Sequence, residues 1–290
     1  MNTTEWHTTD ERTADERTAD ERTADERTAD ERTADDYLER ARQAGLVAEV
    51  RGHRYVADRY DDPFTDRRQI LVEYCDPGLP ADAAALGALR DQLREHHATA
   101  EAVLLRVTGG AALPAPWRPR LTYICHEPSA GTTPSHTRPA VSVRPATPDD
   151  DALVHDWLVQ AFRNAYPGQE VDAHHSGIEA VVANPGRLSF IAQVAGVPIG
   201  HGTVLADERD EVTGEAFAEL VDILIDDAEH RREATSALVD AAARATAGRR
   251  LCGHVVHPHE PGQARQADAV LQTLLSADWS VDHAFWESTW

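Results

Sequence analysis

The chain contains no lysine: all 28 of its basic residues are arginine. That absence excludes a Schiff-base lysine or a lysine phosphate clamp anywhere in its 290 residues. Long apolar runs are also missing. None approaches the roughly 18 to 20 residues that a bilayer-spanning helix requires, and the amino terminus has no basic cluster ahead of an apolar stretch, so neither a membrane span nor a signal peptide is expected. Cysteine is scarce. Cys75, Cys125 and Cys252 are odd in number and far apart, with no C-x-x-C pair, which reads as reduced thiols in a cytoplasm rather than a disulfide frame. Positive charge is short as well, with 50 acids against 28 arginines and a net charge of −22. A non-specific nucleic-acid binder needs the opposite balance.

What is present begins with a repeat. Residues 10–34 are five copies of Asp-Glu-Arg-Thr-Ala. On a helix a five-residue period advances by about 500°, so the alanines spread round the axis and no face can be buried. The expectation for residues 1–35 is a disordered tail. Without the repeats, 40 acids still face 23 arginines, so the acidity belongs to the folded part too.

Residues 36–125 read as a small α/β unit. Asp36 caps a short helix, Leu46 to Tyr60 alternates as a strand pair turned at Arg51-Gly52-His53, and Gln69 to Cys75 is a buried strand. Pro80 opens a helix with Leu86, Leu89 and Leu93 at helical spacing, and two strands follow, Ala102 to Val107 and Leu121 to Ile124. No chemical motif stands out there. Residues 126–140 are rich in Pro, Ser, Thr and Gly, the composition of a linker.

From 141 to 290 the order is strand, helix, short helix, strand, a turn at Gly196, strand, strand (Ala216–Asp226), helix (Arg231–Ala247), strand (Leu251–His257), helix (Gln263–Ala277) and a last strand. The strands around Gly196 form an antiparallel hairpin; those joined by the Arg231 helix run parallel. Glu219 and Asp222 differ by three positions and are expected on opposite faces of their strand. His201, on the preceding strand, is a second candidate base with a suitable titration range. The run from Cys252 to Glu260 holds His254, His257 and His259, but neither C-x-x-C nor H-x-x-x-H spacing occurs, and no metal site is expected.

This order, with Val143-Arg-Pro-Ala-Thr-Pro-Asp-Asp150, the hairpin Phe190 to Gly200, Leu220 to Ile225 followed by His230 to Ala242, and Leu274 to Trp279 near the end, resembles the GNAT acyltransferase superfamily over about 150 residues. The resemblance implies an α/β fold: a GNAT-like mixed sheet flanked by helices in the carboxy-terminal unit, behind a smaller α/β unit that is itself a candidate degenerate GNAT. It implies transfer of an acyl group from a pantetheine thioester, either acyl-coenzyme A or an acyl-carrier protein, to a small-molecule amine. It also places the donor along Ile223, Leu224 and Ile225, with Arg231, Arg232, Ala234, Thr235 and Ser236 at the start of the next helix. Glu219, Asp222 and His201 are then the candidate catalytic residues. The sheet is expected to open after Ile225, leaving main-chain donors for a phosphate.

Two family features are replaced here. The donor loop, usually Arg or Gln, two residues, Gly, one residue, Gly or Ala, has His230, Glu233 and Thr235 at the matching positions, and the helix at 263–277 lacks the family's tyrosine. Two further readings stay open: a non-catalytic GNAT-like binding module, and an aminoacyl-tRNA-dependent transferase, against which the acidity counts.

Overall fold

The computed structural model describes residues 34–62, 67–126, 140–166 and 171–290. The expected tail at 1–35 and linker at 126–140 fall almost wholly outside those residues.

Helix α1 spans 34–43. The first half continues with β1 (Val47–Val50), β2 (His53–Asp61), β3 (Arg68–Cys75), α2 (Ala83–His96), β4 (Ala102–Thr108) and β5 (Arg118–His126). The second half holds β6 (Val141–Pro145), α3 (Asp151–Ala165), α4 (Ser176–Ala183), β7 (Arg187–Val194), β8 (Val197–Arg209) and β9 (Ala216–Ile225). It ends with α5 (Arg231–Ala245), β10 (Arg250–Val256), α6 (Pro261–Leu275) and β11 (Trp279–Thr289). Two hairpins turn on adjacent positive-φ residues, Arg51 and Gly52 (48° and 85°) and Ala195 and Gly196 (50° and 82°). Such two-residue turns match the twist of the flanking strands.

The eleven strands among the described residues form one sheet, in the order β1-β2-β3-β4-β11-β5-β10-β9-β8-β7-β6. The halves are interleaved. The last strand, β11, lies between β4 and β5, and β5 from the first half pairs with β10 of the second. Apolar residues of α2, α5 and α6 pack on one face; α1, α3 and α4 cover the other. Both halves contain a parallel pair bridged by a helix, β3-α2-β4 and β9-α5-β10.

The expectation of three reduced thiols is overturned. Cys125 and Cys252 form a disulfide across β5 and β10, leaving Cys75 free. The two residues are direct partners in the antiparallel register, which brings their side chains together on one face. A sequence separation of 127 hides that pairing from spacing arguments, and the thiol argument for a reducing compartment goes with it. No helix among the described residues is long and apolar enough to cross a membrane.

Candidate functional site

The parallel ladder between β9 and β10 is short. It runs from Phe217 opposite Arg250 to Leu220 opposite Gly253 and stops, although β9 continues to Ile225 and β10 to Val256. Both strands stay bonded to their outer neighbours, β9 to β8 as far as Ile225 and β10 to β5 as far as Val256. The result is a wedge through an otherwise continuous sheet. It opens at Leu220, five residues before the expected point at Ile225. A cavity of about 760 Å³ fills the wedge and reaches both faces, with Thr235, Val239 and Val270 on the α5–α6 side and Ala161, Tyr166 and Asp222 on the α3 side.

A register shift fixes which side chains face it. Thr203 pairs with Asp222 and Val204 with Leu220, so Val221 has no partner on β8. A bulge of this kind adds a residue and resets the two-residue alternation. Leu205 pairs with Glu219, and residues directly opposite share a face. Glu219 and Asp222 therefore lie on the same face, towards α3, which corrects the expectation that they diverge.

Asp222 lines the cavity, yet its side chain is only 8% exposed and its Oδ2 lies 2.8 Å from Nε2 of His201. The contact is off the line of a hydrogen bond, and neither Asp222 oxygen has a hydrogen-bond partner among the described residues. His201 is fully buried and is not part of the cavity wall. Its ring stacks on Trp157 with centroids 5.2 Å apart, and Trp157 Nε1 donates to Asp226 Oδ2 at 2.9 Å. Trp157 thus ties the carboxylate in the wedge to the residue that opens the donor loop.

Glu219 sits behind the wall. Its Oε1 is 3.4 Å from Nδ1 of His254, and it is His254 that lines the cavity. His254 packs on Tyr123, which stacks on His283 at 4.4 Å. Burial, with Glu219 adding to it, holds the Tyr123 phenol well above its ordinary range. His257 and His259 turn elsewhere, His257 to Thr122 and Asp268 and His259 to Glu287.

The helix at 263–277 brings no tyrosine, but the end of α3 does. Tyr166 lines the cavity beneath the Arg120 guanidinium, 5.6 Å from the ring centroid. Burial pushes its phenol up to about 12, with Arg120 opposing the shift. Sequence reading passed over Tyr166 and Trp157 because the resemblance placed the chemistry on later elements. The signal available was an aromatic closing α3 immediately before Pro167-Gly168.

On the donor side, the Asp227 carboxylate accepts from the Glu229 and His230 amides at 2.8 and 3.2 Å and lies 2.9 Å from His230 Nδ1. These bonds, led by the one with His230, lower the Asp227 carboxyl and raise the imidazole. Ala234 N–H already bonds the His230 carbonyl, whereas the amides of Arg231, Arg232 and Glu233 have no acceptor among the described residues. The Glu233 carboxylate is turned aside, taking the Val141 amide at 3.2 Å. Arg231 and Arg232 are exposed and form no ion pair among the described residues. Of the remaining candidates, Ile223, Leu224 and Thr235 line the cavity, Ala234 and Ile225 are buried in the core, and Ser236 faces solvent.

The first half has a differently filled counterpart. After β3 the chain turns inward at Leu79, fully buried in the core under α2, and the Asp82 carboxylate takes the Ala84 and Ala85 amides at 2.9 Å each. An anion is thereby already in place at that helix start.

No family model matches the sequence, and no curated protein matches it. Among solved structures, similarity is found to a GCN5-related N-acetyltransferase from Kribbella flavida, at 15% identity over 88% of this chain and 94% of that one, with a TM-score of 0.43. A GCN5-related N-acetyltransferase from Sphaerobacter thermophilus is similar at 14% identity over 82% of this chain and 76% of that one, with a TM-score of 0.47. In this chain the mixed sheet is flanked by helices on both faces and opened between two parallel strands.

Proposed function

We propose that this chain is an N-acyltransferase that moves an acyl group from a pantetheine thioester to a small-molecule amine. The observation that carries the reading is the wedge between β9 and β10, with the buried carboxylate of Asp222 on its wall, beside the His201 ring but without a hydrogen bond among the described residues. The free amides at Arg231 to Glu233, with the Arg231 and Arg232 side chains, are suited to a phosphate of the donor. The pantetheine arm then follows Ile223 and Leu224 down to the point where the strands rejoin.

In this reading the acceptor enters from the α3 side and its ammonium meets Asp222. The carboxylate takes the proton, with His201 behind it as a positioning residue. The freed amine attacks the thioester carbonyl carbon and the C–N bond forms; as the adduct collapses the C–S bond breaks and the nitrogen gives its second proton to solvent. The departing thiolate is met by a proton donor, a role that suits Tyr166 because burial keeps its phenol protonated. Most of the rate comes from holding the two reactants together.

Asp227 already occupies two loop amides, which suits a donor with a single phosphodiester, as on a carrier protein, as well as coenzyme A. The test is mass-spectrometric transfer from acyl-coenzyme A and from acyl-carrier protein to a panel of primary amines. Asp222→Asn is expected to lower kcat by about 10²- to 10⁴-fold while the donor KM holds. Donor binding without transfer by the unaltered protein would leave a binding module. Equal kcat for the variant would remove Asp222 from the chemistry.

A further inference from the structure

The cavity does not end where the strands rejoin. Gly253, at the apex of the wedge, is in register with Ile124 on β5, whereas Leu251 and Trp279 are both in register with His126, two residues further along that strand. Trp279, whose backbone by that register lies about 7 Å past the apex at a rise of about 3.3 Å per residue, lines the same cavity. The walls change character there. Thr235, Gln263 and Gln266 stand near the entry, at the starts of α5 and α6, and Asp222, Tyr166 and His254 look in from the α3 side. Ile124, level with the apex, and Val239, Val270, Leu274 and Trp279 on the α5–α6 side are all apolar.

A donor laid along the wedge with its phosphate at the start of α5 brings its thioester to the apex, beside Asp222. An acetyl group would end there and leave the apolar extension filled with water. We infer that this extension receives the acyl chain of the donor, and that the protein is built for acyl groups several methylenes longer than acetyl. The chain continues the line of the pantetheine arm beneath the sheet on the α5–α6 side, and the reacting carbonyl stays open to the amine on the other. Specificity comes from depth: each added methylene gains burial until the chain meets Trp279 and Leu274. Val270 is 46% exposed, so its side chain can be enlarged at the rim of this pouch without touching the core.

This inference rests on the reading of the wedge as a thioester site, and the experiment separates the two. Coenzyme A, the acetyl, butyryl, hexanoyl and octanoyl thioesters of coenzyme A, and the same series on pantetheine are titrated calorimetrically into the full chain and into Val270→Trp. In the wild type, affinity is expected to rise about fourfold per methylene and then level off as the pouch fills. Val270→Trp is expected to flatten the series, the longer chains losing their advantage over acetyl-coenzyme A. Equal affinity for acetyl and hexanoyl donors would overturn the pouch and leave the donor site standing. The same climb in Val270→Trp would also overturn it, because the chain would then lie elsewhere. No binding of any member of either series would overturn both.

Discussion

Gly200 is the point where β8 comes closest to β9, opposite Ile225 at the lip of the wedge. A Cβ built there would lie 2.3 Å from the Leu224 carbonyl oxygen, 2.6 Å from Ile225 Cδ1 and 2.9 Å from Ile225 Cα. Two of those atoms cannot swing away as a side-chain end does, so Gly200→Ala must push the end of β9 by about 1 Å to reach an ordinary C···O separation of about 3.3 Å. Overpacking on that scale costs about 1–3 kcal/mol, and the roughly 0.4–1 kcal/mol gained from a less flexible unfolded chain does not cover it. Gly202, two residues on, supplies the control. Its added Cβ would meet Ile223 Cγ1 at 3.4 Å and Leu238 Cβ at 3.6 Å, ordinary contacts, so Gly202→Ala should be neutral or slightly stabilising. The assay is urea unfolding of the two variants beside the wild type at equal m-value. Leu224 also lines the cavity, so Gly200→Ala should weaken donor binding and Gly202→Ala should not. The reasoning fails if Gly200→Ala is as stable as Gly202→Ala.

Stability should fall as pH drops from 7.5 to 5.5. His257 and His283 are 4% and 7% exposed, and burial holds both imidazoles below their ordinary value of 6.5. As pH falls through 6.5 the unfolded chain takes up protons that the fold refuses, and the balance moves towards unfolding. A second loss follows below about 3.8, because Asp210 and Asp282 are depressed by bonds to Arg106 and to His283 and Arg250 despite the opposing effect of burial. Their contribution is complete above the unfolded value and is lost as pH falls through the folded one. An unchanged urea midpoint between pH 7.5 and 5.5 would contradict the histidine argument. Thiol titration of protein denatured without reductant should find one reactive group, Cys75, and three after reduction. Because the Cys125–Cys252 bridge closes 127 positions, Cys125→Ser should cost up to about 5 kcal/mol by chain entropy. Three thiols without reductant would deny the bridge.

Most elements were legible in the sequence because periodicity and turn chemistry agree along it. Arg51-Gly52 and Ala195-Gly196 stand where positive φ is needed, and Leu86, Leu89 and Leu93 are all buried. The helix expected from Asp36 starts at 34, a shift at a frayed end. What stayed hidden was long-range. Nothing local announces that β11 inserts between β4 and β5, because pairing partners separated by some 180 positions leave no periodic trace. The same holds for Cys125 and Cys252. The bulge at Val221 was invisible for a different reason: strict alternation is assumed until a partner strand shows a missing pair, and one inserted residue reversed the inference about Glu219 and Asp222. The burial of His201 against Trp157 follows from where α3 packs, which no local pattern on β8 shows.

The two halves repeat one plan, a parallel pair bridged by a helix, and differ at the junction where a donor would be held. After β3 the chain fills its own space, with Leu79 buried and the Asp82 carboxylate seated on the first amides of α2. After β9, Asp227 bonds only the loop amides that precede α5, Glu233 is drawn off to Val141, and the first amides of the helix stay open. Burying a side chain and satisfying a helix start both stabilise, so the first arrangement is what folding alone favours. The second leaves the buried Asp222 carboxylate beside His201 without a hydrogen bond, at a cost in free energy, while the first amides of α5 belong to solvent-exposed residues. Among the described residues the open helix start therefore belongs to the second half, and the capped one to the first. The first half contributes instead through β5, whose Ile124 walls the cavity and whose Cys125 locks the strand to β10. The wedge is therefore a product of both halves, and separating them at residues 126–140 should leave neither with a complete site.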